Sequence, residues 1–124
     1  MPQERVPPRS EIESMLGLSQ EQLYESLVAG EVDFDLNHPG AQIAKGKAAF
    51  VALLRRVRQP VCVAFHAHKE SVRDAAELVA IVAGVMLSVT GVIHEAVLPA
   101  SVLVVKIGLE EVCRGVDGAA GHDS

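Results

Sequence analysis

Three histidines and two cysteines are the residues of this 124-residue chain best suited to chemistry. Cys62, His66 and His68 fall within seven positions, and His94 stands farther along. On a strand, His66 and His68 share a face and can hold one metal ion. On a helix they diverge by about 200°. A structural zinc site shows tighter ligand pairs than these, so no metal is expected. Cys62 with His66 has the makings of a thiol nucleophile, but the third group that orients such a base is not specified. Glu70 and Asp74 are available only by chance of proximity. The plainer reading is that Cys62 and Cys113 are small buried hydrophobes in a reducing compartment, with a Cys62–Cys113 disulfide as the alternative. Cys62, His66, His68 and His94 are retained as a weak candidate pocket, the basis of an alternative reading as a small enzyme or ligand-binding domain.

Two other patterns fail at the positions that decide geometry. Asp33, Asp35 and Asn37 alternate like the first ligands of a calcium loop, but His38 stands where the turn needs Gly and Ala44 where the loop needs Glu. Gly40, Gly46 and the tail GVDGAAG match neither a phosphate loop nor a dinucleotide fingerprint. No cofactor is expected, and no motif specifies an activity.

Charge is more informative. Sixteen acidic against eleven basic residues give a net charge of -5. Residues 1–38 hold eight acidic and two basic side chains, whereas residues 39–58 hold five basic and none acidic. Those five, Lys45, Lys47, Arg55, Arg56 and Arg58, form the chain's one basic cluster and its candidate interaction surface. The acidic balance and the 3% aromatic content argue against nucleic acid as the partner, because phosphate neutralisation and base stacking both lack their means. A positive helix on a negative body suits docking to another protein or to copies of itself.

The elements that must position these residues follow from period and caps. Ser10 with Glu13, and Ser19 with Gln22, carry capping-box spacing and predict helices ending at Gly17 and Gly30. Residues 31–39 read as an extended loop whose Val32, Phe34 and Leu36 plug the core. A third helix spans 41–58 and is closed by Pro60, with Gly46 costing about 1 kcal/mol in propensity. Residues 61–68 are ambiguous between strand and helical turn. The clearest element is a helix over 73–93, with no charge from Leu78 to Ile93 and small residues at Ala76, Ala80, Gly84 and Ser88. Such a helix is buried on all sides. Pro99 opens a last helix over 100–114, with a strand over 101–107 as the alternative.

The hydrophobic share of 49% supports a packed core. The reading is an all-α, compact bundle of five to six helices around a central apolar helix (73–93). Its expected layout is a flexible arm at 1–9, one helical domain at 10–114 and a flexible tail at 115–124. The sixteen uncharged residues 78–93 fall short of a membrane span, and Lys106 interrupts the next apolar run. A membrane-associated hairpin is therefore the third reading. The first is a non-enzymatic protein–protein interaction or self-assembly module, not an enzyme, in the cytoplasm.

Overall fold

The computed structural model describes residues 7–28, 40–92 and 94–114, and every regular element in them is helical. In chain order these are α1 (Arg9–Leu16), α2 (Gln20–Leu27), α3 (Ala41–His68), α4 (Ala75–Leu87), α5 (His94–Ile107) and α6 (Leu109–Val112). The expected all-α bundle of five to six helices is the fold. The loop expected at 31–39, the segments 1–6 and 115–124, and the failed calcium pattern lie outside the described residues.

Ser19 starts α2 as its spacing requires. Its hydroxyl accepts the Gln22 N–H, and the Gln22 side chain accepts the Ser19 N–H. Ser10 does not cap α1. That helix begins at Arg9, and the Pro8 carbonyl accepts from Glu11 and Ile12. Proline fits there because an N-cap nitrogen takes no part in the helical hydrogen-bond ladder, so its missing N–H costs nothing. Arg9 bonds Glu13 at 2.8 Å and Asp74 at 2.5 Å, tying α1 to the start of α4.

α3 is the bundle's spine, 28 residues or about 42 Å long, and α2, α4 and α6 pack along it. Helix continues through Pro60, so the ambiguous segment 61–68 is its second half. The physical reason is the side on which Pro60 lies. Pro60 is exposed, so the Arg56 carbonyl that loses its donor faces water. Val57, Val61, Cys62 and Phe65 are buried on both sides of the proline in sequence and hold the two halves in line. Gly46 answers a packing need. A Cβ there would overlap the Tyr24 carbonyl oxygen and stand 2.6 Å from its carbon, so α2 crosses α3 backbone to backbone.

α4 occupies only part of the segment 73–93. Asp74 caps it, accepting the Glu77 N–H at 2.9 Å. Its end comes at Leu87, because the Ser88 hydroxyl bonds back to the Val85 carbonyl at 2.6 Å and Gly91 turns with φ +90°. Nor is α4 covered all round. Ala76, Val79, Val82, Ala83 and Met86 are buried, whereas Leu78, Ile81, Gly84 and Val85 are half-buried and Ser88 is exposed. The enclosed stretch is the middle of α5, where every residue from Val97 to Val104 is buried against α1, α2, α4 and α6. It starts at His94, six residues before the expected position, and Pro99 lies inside it. The strand alternative at 101–107 is helix. Gly108, at φ +109°, breaks the last expected helix into α5 and α6.

Candidate functional site

The five cations of the basic cluster have different positions and different work. Lys47 places its ammonium 5.7 Å from the centre of the Tyr24 ring, across the α2–α3 seam. Lys45 also has a partner within the molecule. Arg56 donates from Nη2 to the Thr90 carbonyl at 2.7 Å, closing the turn after α4. Arg58 is half-buried. Its Nε donates to the Val112 carbonyl at 2.9 Å and its Nη2 to the Arg114 carbonyl at 2.6 Å. Those acceptors lie at the C-terminal end of α6, where carbonyls have no helical donor. Arg55 is exposed and has no hydrogen bond or ion pair among the described residues.

The face of α3 that carries Arg55 is built from small residues. Ala44, Ala48, Val51, Ala52, Arg55 and Gln59 are all exposed and recur at helical spacing. No acidic residue occurs in α3. Val51, 48% exposed, is the one large hydrophobic side chain lying open among the described residues. A shallow depression of about 440 Å³ is lined by Val51, Leu54, Arg55, Arg58 and Gln59.

The weak candidate pocket is placed as follows. Cys62 is bonded to Cys113, joining α3 to the end of α6, with a Cα–Cα distance of 5.6 Å. The disulfide alternative is therefore the arrangement found, and no thiol is left for nucleophilic work among the described residues. His66 lies against Phe65, and its Nε2 is buried with no hydrogen-bond partner among the described residues. His68 is exposed at the end of α3. His94 is at the start of α5, lining a groove that includes none of the other three. Among the described residues, no group of three or more His, Cys, Asp or Glu side chains is placed to hold a metal ion.

That groove is the second open feature. It has a volume of about 350 Å³ and runs between α1 and the start of α5, closed by the ends of α2 and α4. Met15, Leu87, Val97, Leu98 and Pro99 give it an apolar lining, and Glu11 and Glu95 add two exposed carboxylates. Sequence reasoning missed Glu11 as part of any site. Nothing local distinguishes it from the other glutamates of α1 and α2, and only the packing of α1 on α5 brings it to Glu95. Electrostatics elsewhere are local. Arg9, with the Glu77 N–H second, holds the Asp74 carboxyl below its ordinary range, and burial raises the Tyr24 phenol.

Compared with known proteins, the chain matches no family model, no curated protein and no solved structure. The fold itself defines the class, an all-α bundle with six helices among the described residues. Among the described residues, no helix is long and apolar enough to cross a membrane.

Proposed function

We propose that this chain is a non-enzymatic, self-associating docking module whose contact surface is the outer face of α3. One observation carries the reading. Val51 lies open beside the uncommitted Arg55, on a helix face of small side chains with no acidic residue. Arginine beside an exposed aliphatic group is a common centre for protein contacts, because its planar head is weakly hydrated and pairs with carboxylates. Small neighbours such as Ala48 and Ala52 let a partner backbone come close.

Light scattering across a concentration series tests this. The weight-average mass of the wild-type chain rises with concentration, and that of Val51→Asp stays at the monomer value. A flat monomer mass for both proteins overturns the reading.

The cytoplasm belongs to the same proposal, and the Cys62–Cys113 bond bears on it. A reducing cytosol keeps such pairs as thiols. Lysis of cells directly into denaturant with excess alkylating reagent, followed by mass measurement, decides. Two added alkyl groups support the cytoplasm, and none places the chain in an oxidising compartment.

A further inference from the structure

Two of the open features are complementary, and neither shares a residue with the other. One is basic, with Val51 and Arg55 exposed beside a shallow depression on α3. The other is concave and acidic-rimmed, with an apolar floor that includes Met15, Leu87 and Leu98, beside Glu11 and Glu95. α3 contributes nothing to that groove. We propose that the groove between α1 and α5 of one copy receives the exposed Val51 and Arg55 side chains of a second copy, the knob of the pairing. The proposal rests on the self-association reading and names its receptor.

Charge selects this pairing over the symmetric one. A face-to-face dimer through α3 would bring together two helices that carry cations and no acidic residue. Like charges in contact disfavour that arrangement. In the knob-to-groove arrangement, the guanidinium of Arg55 meets two carboxylates, and an isopropyl group enters an apolar floor. A groove of about 350 Å³ is ample for a Val side chain and the stem of an Arg. Because knob and groove are different surfaces, each docked copy still offers one of each. Such head-to-tail contacts grow as open filaments or close as rings, according to the rotation between neighbours.

Sedimentation velocity on the full chain tests the pairing with four proteins: wild type, Arg55→Glu, Glu11→Arg/Glu95→Arg, and the triple combination. All three residues are exposed, and circular dichroism with melting curves verifies that each variant folds. Should a reversal unfold the chain, Arg55→Gln and Glu11→Gln/Glu95→Gln replace it. The expected result is that either reversal raises the concentration of half-association by about tenfold or more, a loss on the scale of one broken charge pair. The triple combination, with the charges exchanged, returns association toward the wild-type level. Sodium chloride weakens wild-type association. If Arg55→Glu disperses the assembly and the glutamate reversal does not, the knob is right and this receptor is overturned. Association that ignores salt overturns it as well. If the wild-type chain remains a monomer throughout, both this inference and the self-association reading fall.

Discussion

Val51 and Val57 are the same residue type, six positions apart on α3, yet Val57 is fully buried and Val51 is 48% exposed. Arg55 and Arg58 make a parallel pair. Arg58 reaches two backbone carbonyls at the end of α6, and Arg55 reaches no partner among the described residues. The two faces of one helix thus draw on the same alphabet. The inner face is distinguished by what closes over it: Tyr24 at Gly46, Val112 and Cys113 at Arg58 and Cys62. Composition marks α3 as apolar and basic, but the neighbours decide which of its valines and arginines hold the fold and which remain available.

The largest break is expected on the inner side. Replacing both cysteines, as Cys62→Ala/Cys113→Ala, removes a cross-link spanning 51 positions. On the loop-closure account this costs about 4 kcal/mol, reduced where the free chain keeps residual structure. Urea unfolding of wild type and the double variant measures it. A midpoint unchanged by the double substitution would mean that the inner face holds α6 without the staple.

A smaller effect separates the two arginines. Arg58→Ala leaves the Val112 and Arg114 carbonyls without their charged donor and costs about 2 kcal/mol. Arg55→Ala, on the open side, changes stability by no more than about 0.5 kcal/mol. Equal losses for the two in the same denaturation assay would erase the distinction between faces. Association is expected to respond in the opposite order, with Arg55→Ala the more damaging.

Much of the fold was legible because helix signals are local. The Ser19–Gln22 box placed α2, and the helix expected from residue 41 begins there as α3. Misreadings came where a residue's meaning depends on which side of a helix it occupies. Pro60 reads as a stop in sequence, but on the water side of α3 its lost hydrogen bond is tolerated. Gly46 reads as a weakness, but it is the point where α2 and α3 touch. The long uncharged segment after Leu78 suggested one enclosed rod. Ser88 and Gly91 end it early, and α5 takes the enclosed place. The candidate surface was legible as a cluster of five cations and no further. That Arg56 and Arg58 serve the fold depends on Thr90, Val112 and Arg114, which lie 34 to 56 positions away. Cys62 and Cys113 suffer the same distance. Sequence spacing alone cannot say that α6 folds back onto α3.

The smallest effect tests whether exposed charge contributes as Arg58 does from its half-buried place. Asp74 joins Arg9 of α1 to the cap of α4 while nearly half exposed. Arg9 and the Glu77 N–H both favour its ionised form, so its folded pKa lies below the unfolded value. A carboxyl depressed in this way contributes stability that is fully present above the unfolded pKa, near the ordinary Asp value of about 3.9. That contribution is lost as pH falls through the folded value, once the carboxylate is protonated in both states. Asp74→Asn should therefore melt lower than wild type at pH 6, with the gap closing as pH approaches 2. Salt should shrink the gap at pH 6, because water and ions reach this pair. The Arg58→Ala loss should persist in the same salt, since its acceptors are neutral carbonyls at a packed helix end. A pH-independent gap for Asp74→Asn would assign its role to the cap hydrogen bond alone, and would leave α1 held by Ile12 and its apolar neighbours.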